Sequence, residues 1–249
     1  MIYAGIIIVS YFVIFFIVGT IIKNNSIVDV GWGLGFVVTG WLLFFISKEY
    51  TISKIIVNSL VTLWGLRLFY HILKRNLFAE EDFRYKKWRK DWGKHVIPRA
   101  FFQVYMFQAL YMFIIGIGVY YVNVYDITFS WIMVIGIFVW IIGYFFEVVG
   151  DKQLKDYINN KDKKDPLLTT GLWNITRHPN YFGEAIMWWG IFLVIIVSSN
   201  AWYLVVSPLA ITTLLRFISI PLLERKMQKR PGWDEYAKHT SIFVPFLKK

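Results

Sequence analysis

The sequence predicts an all-α integral membrane protein with seven transmembrane helices, and three observations carry this reading. Of its 249 residues, 57% are hydrophobic and 20% aromatic, while only 17% are charged. That balance lies outside the composition of soluble domains. The apolar residues gather into uninterrupted runs, each long enough at about 1.5 Å per residue to cross a hydrocarbon core of about 30 Å. The runs show no apolar–polar alternation, so barrel strands are excluded, and only helices can satisfy the backbone in lipid.

The runs follow in order. Residues 4–22 have no basic residue before them and no small-residue cleavage site after them, and so read as a span rather than a signal peptide. Residues 27–46 open on VDVGWGLG, where Gly31 and Gly35 predict a close helix contact of the small-xxx-small kind. Residues 55–73 carry Arg67 and His71, four apart on one helix face. Residues 101–122 follow a basic, aromatic stretch, and residues 127–149 end on Glu147 with Asp151 one turn beyond. Residues 181–199 emerge from the string GLWNITRHPNYFGE at 171–184, and residues 201–220 hold Arg216. No internal repeat or linker interrupts the chain, so residues 1–249 are expected to form a single seven-helix domain.

The net charge of +11 does not point to nucleic acid, because the basic residues lie in loops between apolar runs. One set of alternate loops holds 23 of the 27 Lys and Arg, the other only Lys48 and Lys54, and Arg67 and Arg216 fall inside spans. The positive-inside rule then places the amino terminus outside and the carboxyl terminus in the cytoplasm.

Cysteine is absent, which excludes a disulfide framework, a thiol nucleophile and a thiolate metal site. Four scattered histidines give no ligand-spaced pair, and no metal is expected. GWGLG at 31–35 is not a dinucleotide fingerprint, since no strand precedes it. The informative residues are the charges kept within spans: Asp29, Arg67, Glu147, Glu184 and Arg216, with His71 beside them. On insertion scales each costs about 2.5–3.5 kcal/mol at mid-bilayer. With the orientation above, all five sit in the cytoplasmic half. The expectation is a polar cavity open to the cytoplasm beneath an apolar pocket. Glu147 and Asp151 share a helix face and could present two groups to one ligand, or could mark a solvated helix end before Lys152 and Lys155.

The re-entry string is dense in chemistry. Arg177 offers a planar fork for phosphate or carboxylate, His178 a ring donor, and Pro179 fixes the backbone where a helix begins. Asn180 is a good helix cap, and the free amides of a helix start favour an anion. Tyr181 adds an aromatic ring. Glu184, one turn inside, can accept from a ribose hydroxyl, an amide or an amine.

GLWNITRHPNYFGE, together with Arg216, PLLE at 221–224 and YAKHTSIFVP at 236–245, resembles the membrane superfamily of steroid 5-alpha-reductases. The likeness is closest to its bacterial branch, whose hallmarks include VDVGWG at 28–33, LWGLRL at 63–68 and EDFRY at 81–85. It runs from about residue 26 to the carboxyl terminus. Isoprenylcysteine carboxyl methyltransferases belong to the same superfamily and carry a similar RHP-x-Y. The resemblance implies a bacterial cytoplasmic membrane, an active site open to the cytoplasm, and NADPH held among the later spans by Glu147, Asp151, Arg177, His178, Asn180, Tyr181, Glu184, Arg216, Glu224 and Tyr236. Glu147 stands where the reductases have Asn, Glu224 falls near a family Tyr, and Arg177 with His178 are methyltransferase-like.

The implied reaction is hydride transfer to an activated carbon–carbon double bond of a lipid, with a donor polarising the substrate carbonyl in a dry site. Asp29, protonated by apolar surroundings, occupies roughly the place of the reductases' second-span Glu. Their third-span Tyr corresponds to Trp64, so Arg67 or His71 would supply the electrophile. The alternative is a methyltransferase using S-adenosylmethionine on a lipid-borne acceptor. The phosphates of NADPH would suit the loop cations Arg84, Lys86, Lys87, Arg89, Lys163, Lys164 and Arg177. Paired repeats and broken helices, the marks of a transporter, are missing. The partners implied are a hydrophobic small molecule and membrane lipids. Steroid, fatty acyl, isoprenoid and carotenoid substrates all stay open.

Overall fold

The computed structural model describes residues 1–76, 80–125, 127–161, 165–196 and 201–247. Among these residues the chain is helical, with one isolated bridge between Thr176 and Ser241 and seven stretches long and apolar enough to cross a membrane. The protein is a multi-pass integral membrane protein. Its helices form two compact units, residues 1–129 and 130–249.

Unit 1 contains α1 (Ile2–Ile21), α2 (Ile27–Ser47), α3 (Ile52–Asn76), α4 (Phe83–Trp92), α5 (Val96–Ala100) and α6 (Phe107–Val124), with a wide π-helical turn at Phe101–Met106. Helix α1 buries Ala4, Ile8, Phe12 and Gly19 along one stripe and leaves its other aliphatic side chains exposed, as a lipid-facing helix should. Helix α2 is the most enclosed. The predicted contact through Gly31 and Gly35 is displaced: Gly31 makes room for the Phe15 ring, and Gly35 for the Met112 and Tyr11 side chains. The backbones meet instead at Gly33 and Gly65, where a Cβ on Gly33 would lie 2.7 Å from the Gly65 carbonyl oxygen. Small residues admit such an approach, and the larger neighbours set which glycine faces which helix.

One of the two basic residues expected in the opposite loops is instead buried at the end of this unit. Lys54 lies inside α3 with 0% exposure, and its Nζ donates to Glu49 at 2.9 Å. One turn on, Asn58 and Asn123 exchange amide hydrogen bonds of 2.7 and 3.2 Å between α3 and α6.

Unit 2 contains α7 (Met133–Asn159), α8 (Pro179–Ile196), α9 (Val206–Thr213), a second wide turn at Leu214–Ser219, α10 (Ile220–Met227) and α11 (Trp233–His239). Helix α7 begins six residues later than the run at 127 suggests and continues ten beyond its end at 149. The wide turn ends two residues before Pro221, which has no N–H for the carbonyl four residues back and whose ring crowds that carbonyl. Helices α7 and α8 cross on a ladder of glycines at seven-residue spacing. A Cβ on Gly143 would lie 2.6 Å from the Gly183 carbonyl oxygen, and one on Gly136 2.7 Å from that of Gly190. At that separation the backbone of one helix is the surface of the other.

Candidate functional site

The re-entry segment is assembled against α7 and the carboxyl-terminal segment. Gly171 has φ +63, a left-handed conformation that glycine adopts without penalty, and the Gln153 side chain accepts from Leu172 N at 3.0 Å. Trp173 donates its indole N–H to Gly150 O at 3.1 Å, while its own carbonyl accepts from the Tyr236 hydroxyl at 2.6 Å. Burial pushes that hydroxyl's pKa upward, which keeps it a donor. Thr176 Oγ1 donates to Phe243 O at 2.8 Å and Arg177 N to Ser241 O at 2.8 Å. RHPNYFGE and YAKHTSIFVP are therefore two halves of one folded piece.

Arg177 is the centre of that piece. Its Nε donates to Glu224 Oε1 at 2.8 Å, and its Nη1 to the carbonyls of Ala237 and Thr240 at 2.8 and 3.0 Å. Its Nη2 reaches Glu224 Oε2 at 3.4 Å, and the guanidinium carbon lies 5.5 Å from the Trp233 ring centroid. The fork expected for a phosphate is thus closed on the protein's own oxygens. His178 Nε2 lies 3.1 Å from the same Glu224 Oε1. Burial holds the imidazole below its ordinary pKa, against the opposite pull of Glu224, and Arg177 and Arg216 lower it further. A neutral ring with its proton on Nε2 donates to Glu224. The Tyr181 ring lies 6.0 Å from the His178 ring and 17° from parallel.

Pro179 is the first residue of α8, so Asn180 sits inside the first turn rather than at the cap. Its Nδ2 donates to Asp151 Oδ1 at 2.9 Å. One turn deeper on α7, Glu147 is 3% exposed and packs on Gly183, whose Cβ would lie 3.0 Å from that of Glu147. Glu184 follows Gly183 on α8. Arg216 lies in the second wide turn with its guanidinium 5.2 Å from the Phe217 ring, and π-helical turns of this kind are frequent at functional sites. The ten residues expected to hold a cofactor all belong to unit 2. The structure joins Asp151 to Asn180 and Glu224 to both Arg177 and His178. Tyr236 is engaged with Trp173.

In unit 1 the partners of Asp29 are Tyr85 and Gln108, for which no chemical role is expected from the sequence, and Arg84, which is expected to face phosphates instead. Tyr85 donates its hydroxyl to Asp29 Oδ1 at 2.7 Å, Arg84 Nη2 lies 3.0 Å from Oδ2, and Gln108 Nε2 lies 3.4 Å from Oδ1. Tyr85 is 4% exposed. Arg67 and His71 lie half-buried on α3, and neither is among these partners. Trp64, 2% exposed, packs edge-on against Phe36 at 5.5 Å, as a core residue. The signal for Tyr85 was present in EDFRY, where Glu81 and Asp82 also act locally. Glu81 accepts from Arg89 and from Asn25 N at 2.8 Å each, and Asp82 caps α4 through Arg84 N at 2.9 Å. Lys163 and Lys164 lie outside the described residues.

The chain is 26% identical over 208 residues to the uncharacterized protein C594.04c of Schizosaccharomyces pombe, an alignment taking in 72% of this chain and 60% of that protein. This chain thus spans less than two thirds of that relative's length. No solved structure matches. Residues 15–240 match the family described as a protein of unknown function, DUF1295. The chain belongs to that family, a steroid 5-alpha-reductase-like group.

Proposed function

We propose that the protein is an NADPH-dependent membrane reductase that saturates a conjugated carbon–carbon double bond of a lipid or steroid-like substrate. The observation that carries this reading is the clamp between Asp151 and Asn180 at 2.9 Å, one turn from the buried Glu147 and from Glu184. Carboxylates and an amide gathered at a helix start fit the ribose hydroxyls and amide groups of a nucleotide. Arg216 and the cations after Glu224, namely Arg225 and Lys226, fit its phosphates. The cofactor supplies hydride when bound.

The chain's own residues do the rest. The Tyr85 hydroxyl donates one short hydrogen bond to ionised Asp29. With Asp29 protonated, its proton is shared with Tyr85 Oη and the Tyr85 hydroxyl is released to donate to a substrate carbonyl as enolate charge develops. Tyr85 then takes the donor role that Trp64, with no acidic proton, cannot fill. Arg84, at 3.0 Å from Asp29 Oδ2, holds the carboxyl in position. In this reading the site opens to the cytoplasm of a bacterial inner membrane.

One observation favours the methyltransferase alternative. Arg177 spends its donors on Glu224, Ala237 and Thr240. That removes one phosphate cation and leaves carboxylates prominent, as the zwitterion S-adenosylmethionine would prefer. The deciding experiment is binding of NADPH and of S-adenosylmethionine, side by side, to the purified protein in detergent. Saturable NADPH binding, lost in Glu184→Gln and Asn180→Ala proteins that remain monodisperse and helical, is the expected result. Binding of S-adenosylmethionine in its place would retain the site and replace hydride transfer with methylation. Binding of neither would overturn both readings.

A further inference from the structure

Helix α4 and the residues that follow it carry a feature that the proposed chemistry does not use. The helical stretch Phe83–Val124 counts 42 residues, roughly twice the number that a hydrocarbon core takes. Its apolar part begins at Phe101, so the polar part before it lies outside that core. Gly93, at φ +49, ends α4 and separates it from the span. Helix α4 is therefore placed beside the membrane surface.

The two faces of α4 differ in what their charges do. Tyr85, Arg89 and Trp92 recur at helical spacing on the inward face. Tyr85 binds Asp29, and Arg89 binds Glu81 at 2.8 Å and the Lys23 carbonyl at 3.0 Å. Trp88 stacks on Trp92 with centroids 5.6 Å apart. On the opposite face Phe83, Lys86, Lys87 and Lys90 fall within about a 100° arc, by helical periodicity of 100° per residue, and Phe83 is 60% exposed. Lys86 is paired with Glu80 at 2.5 Å. Lys87, Lys90 and, just past the helix, Lys94 are exposed and have no ion-pair partner among the described residues. The cations that the fold needs are neutralised, and those it does not need point away with an exposed phenyl ring beside them.

We propose that this face of α4 binds the headgroups of anionic phospholipids. Lysines supply the charge complementarity, and Phe83 supplies an apolar side chain to enter the acyl boundary, the combination that holds amphipathic helices at a negatively charged leaflet. The occupant is the lipid surface rather than the cofactor, because Arg84, Lys86 and Arg89 are already held by Asp29, Asp82, Glu80 and Glu81. Each surface lysine is expected to contribute about fivefold in affinity for an anionic surface, so three together give roughly a hundredfold. High salt should weaken the interaction.

The test is native mass spectrometry of the full-length protein in neutral detergent, titrated separately with phosphatidylglycerol and phosphatidylcholine. The expected result is preferential retention of phosphatidylglycerol. That preference should fall roughly a hundredfold in Lys87→Gln/Lys90→Gln/Lys94→Gln and persist in the corresponding triple Lys→Arg protein, which keeps the charge and guards against a folding artefact. Equal retention of the two lipids would overturn the proposal, as would unchanged phosphatidylglycerol binding in the glutamine variant. Displacement of the lipid by millimolar inorganic phosphate would identify a free-anion site, and displacement by NADPH would return the face to the cofactor. Either displacement also overturns it.

Discussion

Arg177 Nε donates to Glu224 Oε1 at 2.8 Å across 47 residues of sequence, joining the start of α8 to α10 inside one unit. Both side chains are almost fully enclosed, and Glu224 also faces His178. Removing one partner leaves the other charged and buried, a change that costs about 3–5 kcal/mol in comparable sites. Arg177→Ala should therefore lower the midpoint of thermal unfolding in detergent steeply. Arg177→Met combined with Glu224→Leu, which removes both charges and keeps the volume, should lower it much less. Equal losses in the two proteins would show that packing, not the ion pair, holds the carboxyl-terminal segment.

Tyr85 and Asp29 provide the sharpest chemical prediction. Once a reducible lipid is in hand, Tyr85→Phe should lower kcat by about a hundredfold or more, the usual worth of a positioned proton donor, while leaving cofactor affinity unchanged. Asp29→Asn should likewise slow turnover more than it weakens cofactor binding. Loss of turnover and of cofactor binding in equal measure would deny the pair a chemical role and leave it as a tie between α4 and α2.

His178 links stability to pH. The folded imidazole is held below 6.5, its ordinary value, chiefly by burial, so the unfolded ring takes up a proton at a pH where the folded ring does not. The contribution to stability is complete above pH 6.5 and is lost as the pH falls from there toward the folded value, with a slope of at most about 1.4 kcal/mol per pH unit. The difference in unfolding midpoint between the native protein and His178→Gln should shrink when the pH is lowered from 8 to 5.5. A difference that stays constant would mean that the ring is not neutral when folded.

The close crossing of α2 and α3 is tested by one methyl group. A Cβ on Gly65 would lie 2.6 Å from the Gly33 carbonyl oxygen, whereas one on Gly5 meets nothing within 4 Å. Gly65→Ala should cost about 1–3 kcal/mol, as overpacking does. Gly5→Ala should leave stability unchanged or slightly raise it, since alanine favours a helix interior over glycine. A silent Gly65→Ala would show that the two backbones separate readily.

The seven spans were legible because continuous hydrophobicity is a property of the chain read residue by residue. Which glycine meets which helix was not, because Gly31, Gly33 and Gly35 look alike until Phe15 and Met112 take their places. The glycine spacing of seven at 136, 143 and 150, repeated at 183 and 190, was visible in the sequence and marks the α7–α8 crossing. In the candidate site, Asn180 and Asp151 could be read from local pattern, since each begins or ends a span. Arg177 could be recognised but not interpreted: a free fork and a fork closed on Glu224, Ala237 and Thr240 have the same sequence. Lys54 reads as a loop cation, because nothing local shows that Glu49 turns back to meet it.

The orientation of the membrane spans makes the last prediction. The 23 basic residues in one set of loops predict, by the positive-inside rule, a carboxyl terminus in the cytoplasm. The absence of cysteine means that a single introduced thiol is a unique label. Lys238→Cys on α11, exposed beyond the last span, should react with a membrane-impermeant maleimide only after the membrane is opened. Tyr50→Cys, exposed between α2 and α3, should react in intact cells. Because each span reverses the side, the pair tests the count as well as the direction: an odd number of spans separates the two positions. Labelling of both from outside would remove a span, and the reverse pattern would place the carboxylates of unit 2 on the outer face, away from cytoplasmic NADPH.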